Sequence, residues 1–213
     1  MIQADHATLL YQEHERNVFA CNDIQLKIQQ SEFLGVLGPS GSGKSSLLYL
    51  LSGLKLPTSG KIHFEQKDYS SLTDSERSFL RRNYFGFIFQ QPYLLGYLTV
   101  LENILIHSND MDAALYLLDA LELKKSIHNF PHQLSGGERQ RVCIARAIVH
   151  QPKIIFADEP TAFLDHQNGT EVIRLLCKYK AESSLVMVTH DPSMLQNADR
   201  IIKMNDGMIE FSS

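Results

Sequence analysis

The octapeptide Gly38-Pro39-Ser40-Gly41-Ser42-Gly43-Lys44-Ser45 limits the possible folds more than any other segment. It fits G-x-x-x-x-G-K-[ST] in full, and Ser46 extends the candidate phosphate-binding set. The preceding run, Phe33-Leu34-Gly35-Val36-Leu37, is continuously apolar, as a strand buried on both faces must be. Lys44 to Ser52 reads as a helix, stopped by Gly53 and the turn chemistry of Pro57-Thr58-Ser59-Gly60. Glycines let successive backbone N–H groups turn inward around an anion, and the helix N-terminus adds its dipole. In that setting Lys44 reaches the β- and γ-phosphates of a nucleoside triphosphate, and the Ser45 hydroxyl reaches Mg²⁺. A merely flexible glycine loop is the plainer alternative, but it would need neither the strand before nor the helix after.

A second apolar run, Ile154-Ile155-Phe156-Ala157, ends in Asp158 and Glu159. A carboxylate at a strand end is placed to hold Mg²⁺ beside phosphates, and its neighbour to act as general base toward water. Two adjacent acids are by themselves equally consistent with a solvated turn. Their pairing with a phosphate loop in one chain favours the chemical role.

The rest of the chain alternates strands and helices, which predicts an α/β sheet covered on both faces. Ile24, Leu26 and Ile28 alternate with polar residues, as on a half-buried strand. Lys61–Phe64, Tyr84–Phe89 and Leu185–Thr189 read as further strands, and Gly136–His150 and His166–Lys180 as helices. Thr73 and Glu76 form a capping-box pattern that opens a helix carrying Arg77, Arg81 and Arg82. Arg200–Phe211 reads as a hairpin around Asn205-Asp206-Gly207. Residues 92–131 read as mostly helical, with Leu115, Leu118 and Leu121 expected on one apolar face. The expected organisation is one domain: 1–91 and 132–213 form a nucleotide-binding α/β core with an added antiparallel layer, and 92–131 form an inserted helical subdomain.

Composition narrows the function classes. The 213 residues carry a formal net charge of −4, which gives no basic surface for nucleic acid. No apolar stretch approaches the roughly 20 residues of a membrane span, and Met1–Leu10 lacks the pattern of a signal peptide. Any service to a membrane is therefore expected to go through a partner. Cys21, Cys143 and Cys177 show no metal spacing and read as reduced thiols, with Cys143 and Cys177 expected to be buried.

The segment Leu134-Ser135-Gly136-Gly137-Glu138-Arg139-Gln140 carries two readings at once. Ser135 and Glu138 make a capping box, and a helix opened by serine and two glycines presents donors to an anion. With this run shortly before Asp158, nearly the whole chain resembles the ATP-binding cassette (ABC) family. The resemblance implies the P-loop NTPase ABC ATPase fold: a mixed sheet core, an antiparallel β layer and an inserted helical subdomain. It implies ATP and Mg²⁺ as cofactors, and a head-to-tail homodimer in which Ser135, Gly136 and Gly137 of one copy meet the γ-phosphate held by the other.

The same resemblance gives Gln90 a role at Mg²⁺ and the attacking water, and His190 a contact to the γ-phosphate. It makes Asp165 a link between the two sites. Tyr11 is the aromatic placed to stack on adenine, with Phe19 as the alternative. Gly86-Phe87-Ile88-Phe89-Gln90, Leu98-Thr99-Val100-Leu101-Glu102-Asn103 and Ser135–Val142 are most similar to the branch of lipoprotein-releasing, macrolide-export and cell-division ATPases. Departures are Ala162-Phe163 in place of Gly-Asn, Gly96 in place of proline, and a short span of 134 − 90 = 44 positions from Gln90 to Leu134.

The function implied is the ATP-hydrolysing subunit of a transporter, cytoplasmic and peripheral on the inner face of the membrane, driving an integral-membrane permease. A soluble ABC-fold ATPase uncoupled from transport is the rival. The apolar run Tyr93, Leu94, Leu95, Tyr97 and Leu98 is expected to be either a groove for a partner helix or subdomain core.

Overall fold

A computed structural model describes residues 1–13, 16–179 and 183–210. Lys180 and Phe211, the expected ends of a helix and of the last hairpin, lie outside the described residues.

The chain opens with two long strands, β1 (Ile2–Glu13) and β2 (Arg16–Ile28). It continues through β3 (Phe33–Leu37), α1 (Lys44–Leu51), β4 (Ser59–Phe64), β5 (Lys67–Asp68), α2 (Asp74–Tyr84) and β6 (Phe85–Ile88). Two short helices follow, α3 (Val100–Leu105) and α4 (Met111–Ala120), then α5 (Gly136–Ile148), β7 (Ile154–Asp158) and α6 (His166–Tyr179). Strands β8 (Ser184–Thr189), β9 (Arg200–Asn205) and β10 (Met208–Glu210) close the chain. One sheet of four strands runs β2-β1-β4-β5 and is antiparallel; the other, of six, runs β10-β9-β3-β8-β7-β6. In the larger sheet β9, β3, β8, β7 and β6 are parallel, and only β10 pairs antiparallel at the edge.

The period-2 geometry of a strand sends alternate side chains into different cores. Leu34, Val36, Ile154, Phe156, Val186 and Val188 point into one core, shared with α1 and the antiparallel sheet. Phe33, Ile155, Ala157, Leu185 and Met187 point into the other, shared with α3 to α6. Both faces are covered, so a continuous apolar run is the sequence these strands need. Aromatic rings reinforce the first core: Phe85 meets Phe64 and Phe156 edge-on, with centroids 5.0 and 5.3 Å apart.

Helix starts follow the expected chemistry. Thr73, Thr99 and Ser135 each accept from the backbone N–H three residues on, and Glu76, Glu102 and Glu138 reach back to complete capping boxes. Residues 92–131 are less helical than the pattern predicts, because only α3 and α4 are regular there. On α4 the expected face is shifted: Leu118 and Leu121 are buried but Leu115 is 41% exposed, and Leu117 takes the core position. A period of three drifts around an α-helix, whereas positions 114, 117, 118 and 121 follow the true 3.6-residue repeat. Cys143 is buried as expected, and Cys177 is only half-buried.

One polar side chain organises the stretch before α3. Asn103 is fully buried, and its Oδ1 accepts from Leu95 N at 2.8 Å. Its Nδ2 donates to the carbonyls of Leu95, Leu98 and Thr99 at 3.0–3.1 Å. Asn103→Ala is expected to lower unfolding stability by about 2–3 kcal/mol, because it strands several backbone groups at once. Denaturant titration reads this loss, and an unchanged midpoint would remove Asn103 from this organising role.

Candidate functional site

The site is built by strand register. Leu37 of β3 pairs with Thr189 of β8, Val188 with Asp158 of β7, and Ala157 with Ile88 of β6. Parallel strands in that register end at one edge, so Gly38, His190, Glu159 and Phe89 emerge side by side. Open α/β sheets place their ligands at this carboxyl edge.

The loop after β3 is shaped by close backbone approach. Gly43 has φ +96°, and a Cβ there would stand 2.1 Å from the carbonyl oxygen of Ala20. A Cβ on Gly38 would stand 2.2 Å from the Met204 carbonyl oxygen. Both the conformation and the space thus demand glycine at Gly43, while at Gly38 the space alone does. Lys44, only 8% exposed, curls back so that Nζ donates to Gly38 O at 2.9 Å and Pro39 O at 2.8 Å. Its ammonium lies over the cradle. Pro39, Ser40 and Gly41 are exposed, Gly38, Gly43 and Ser45 partly so, and the Ser42 hydroxyl is buried with no hydrogen-bond partner. Ser46, one position into α1, is half-buried.

Ser45 Oγ donates to Asp158 Oδ1 at 3.1 Å, bridging α1 and β7. Burial pushes the Asp158 carboxyl above its ordinary range; the Ser45 bond opposes this and the adjacent Glu159 adds to it. A buried carboxylate and a hydroxyl side by side form a hard-oxygen pair that a divalent cation relieves. Among the described residues no cluster of three or more His, Cys, Asp or Glu could hold a metal alone. The residues therefore fit an ion such as Mg²⁺ that takes its other ligands from phosphate and water.

Glu159 adopts φ +46°, a left-handed conformation rare for a non-glycine residue. Its backbone N–H donates to Val188 O at 3.0 Å, which ties it to β8. Its carboxylate is held from two sides: Thr189 Oγ1 donates to Oε2 at 2.9 Å, and His190 Nδ1 lies 2.9 Å from Oε1. His190 itself is mostly exposed, so Glu159 is the rigid member of the pair. Thr189 was not singled out by the sequence; a hydroxyl residue directly before a strand-end histidine was the available signal.

The structure thus brings together Lys44, Ser45, Asp158, Glu159 and His190. Gln90 stands exposed just beyond β6. Its neighbour Phe89 is fixed through its carbonyl, which accepts from Gln140 Nε2 at 3.3 Å. Ser135, Gly136 and Gly137 form the first turn of α5, with Ser135 exposed and engaged in its capping box. No hydrogen bond among the described residues links them to Lys44, Ser45 or Glu159. Asp165 is exposed, and its carboxylate accepts from Asn168 N at 2.9 Å, which lowers its pKa from the ordinary value. Tyr11 of β1 is half-buried against the first core, opposite Val18, while Phe19 is 51% exposed.

A family model described as ABC transporter matches residues 21–162. The chain belongs to that family. It is 41% identical over 98% of its length to an uncharacterized ABC transporter ATP-binding protein of Methanocaldococcus jannaschii, of which 97% is covered. It is 38% identical, over 98% of its length and 96% of the relative, to the lipoprotein-releasing system ATP-binding protein LolD of Wigglesworthia glossinidia brevipalpis. The ATP-binding cassette MJ0796 of Methanocaldococcus jannaschii, solved as a dimer in a post-hydrolysis state with ADP and Pi, superposes with a TM-score of 0.95 at 36% identity. That match covers 100% of this chain and 98% of the other. The expected fold class is therefore met, and the chain is an ABC ATPase. Lys44→Ala is expected to weaken ATP affinity by roughly 100-fold or more, since it removes the buried cation over the phosphate cradle. Isothermal calorimetry measures this directly; unchanged affinity would exclude Lys44 from phosphate binding.

Proposed function

We propose that this chain is the ATP-hydrolysing subunit of an ABC transporter, working as a homodimer that sandwiches two nucleotides and drives a separate integral-membrane permease. The observation that carries this reading is the division of the site within one copy. The cradle, the Ser45–Asp158 pair and the Glu159–His190 pair share one sheet edge, while the anion donors of Ser135–Gly137 open a different element, α5. A second copy that presents its α5 to the first copy's cradle completes the site. A related cassette has been solved as a dimer with ADP and Pi, in accord with this arrangement.

In this mechanism the backbone N–H groups of residues 38–46 bind the phosphates of ATP, and Lys44 turns from the loop carbonyls toward the β- and γ-oxygens. Ser45, Asp158 and Gln90 would hold Mg²⁺, which when bound neutralises charge between the phosphates. Glu159 takes a proton from the attacking water at its carboxylate oxygen. Thr189 and His190 fix that carboxylate's orientation, and His190 also faces the γ-phosphate. Tyr11 stacks on the base, and Asp165 lies on the path between the paired sites.

No helix among the described residues is long and apolar enough to cross a membrane; in this reading the permease supplies the span. Tyr93 and Tyr97 are 65% and 75% exposed, whereas Leu94 packs toward the core. Beside them Arg82, Phe87, Phe89, His107 and Arg146 line a cavity of about 340 Å³. Exposed aromatics next to a concave surface supply the seat for a permease segment, placed directly after Gln90. In the cell the subunit sits on the cytoplasmic face of that permease.

Glu159→Gln is expected to slow turnover by roughly 10²–10⁴-fold while ATP still binds within about three-fold of the parent. Steady-state phosphate release and calorimetry check the two halves. Near-normal turnover would take the role of base away from Glu159.

A further inference from the structure

Phe163 points out of a turn that is otherwise pinned. Ala162 N donates to Glu159 O at 3.1 Å, and Leu164 N donates to Thr161 O at 3.0 Å. Asp165 is fixed at the start of α6 through Asn168. Leu164 packs against the helical core, with Cδ2 3.2 Å from where a Cβ on Gly137 would stand. With Leu164 directed inward, the neighbouring side chain is directed outward, and Phe163 is 51% exposed. The side chain springs from beside the first turn of α5, because its Cβ lies 3.9 Å from the Cβ position of Gly136. Ser135, Ala162 and Asp165 around it are exposed as well.

A phenylalanine offers neither nucleotide nor water a polar group, and leaving half of it in water forgoes apolar burial. Hydrogen bonds on either side fix the backbone that carries it. We infer that Phe163 is an apolar anchor that is buried against a second copy of this chain. The inference rests on the sandwich reading given above. A copy that brings its phosphates to Ser135 and Gly137 comes into contact range of a side chain that springs from beside the same first turn of α5.

Two consequences follow from the chemistry. Carbon–carbon burial does not depend on the γ-phosphate, so the anchor attracts the second copy in ADP as well as in ATP. The turn also runs back to Glu159 through the Ala162–Glu159 hydrogen bond, so covering Phe163 steadies the backbone that carries the base.

The experiment is sedimentation equilibrium of the purified Glu159→Gln chain, with Mg²⁺ and either ATP or ADP, alone and combined with Phe163→Ala, Phe163→Asn or Phe163→Leu. Alanine and asparagine are expected to raise the dimer dissociation constant by roughly ten-fold or more in both nucleotides, and leucine to stay within about three-fold. ATP affinity of each Phe163 variant, measured by calorimetry below the dimer range, is expected to equal the parent's. Parent-like dimerisation of Phe163→Ala overturns the anchor and leaves the sandwich standing. A loss confined to ATP overturns the nucleotide-independent attraction, and a matching loss of monomer ATP affinity overturns the assignment to the second copy. If the Glu159→Gln parent itself forms no dimer in ATP, the anchor and the sandwich fall together.

Discussion

The in-register parallel pairing of β3, β8 and β7 is the constraint on which the rest depends. Each strand is apolar on both faces, so each is locked between two cores, and a slip of one residue would exchange every side chain between them. That lock delivers Gly38, Asp158 and His190 to a common edge, where the Ser45–Asp158 and Glu159–His190 bonds can form. The site is precise because the strands behind it have no freedom to slide.

At that edge the polar groups are held under tension that the fold supports. Asp158 is buried with one hydroxyl partner, and Glu159 is held in a left-handed conformation by its bond to Val188. Such features persist only where surrounding structure over-determines them. The two adjacent acids end in different environments: one faces Ser45 across the sheet edge, and the other is clasped by Thr189 and His190. That separation gives the two neighbouring carboxylates different partners, as the proposed division between cation binding and proton transfer requires.

Much of this was legible in the sequence, for physical reasons. The glycine loop was readable because close approach to Ala20 and Met204 leaves no room for a side chain. Asp158 and Glu159 were readable because a buried strand that ends in charge has few other uses. Capping boxes at Thr73 and Ser135 were local and so were visible in four residues. Features set by tertiary contact were not legible. Leu115 shares the spacing of Leu118 yet faces water, because the position of α4 on α5 selects Leu117 instead. Asn103 and Thr189 gave weak signals, since their importance lies in which backbone groups happen to come within reach. The proposed pairing of α5 with another chain's cradle leaves no mark in the pattern of any single segment beyond the resemblance it carries.

Arg146 lies ten residues past Gly136 on α5, and its guanidinium donates to the carbonyls of Pro92 at 2.7 Å and Tyr93 at 2.9 Å. One helix thus opens on Ser135, Gly136 and Gly137 and grips the chain just after Gln90 near its last turn. A straight helix of this length is a rod of about 20 Å, stiff on the scale of thermal motion. Tilting its front end by a few degrees swings the gripped backbone at the rear by an ångström or more. The helix has the geometry of a lever arm with the arginine fork as its pin, so the backbone after Gln90 follows the first turn of α5 when the helix tilts.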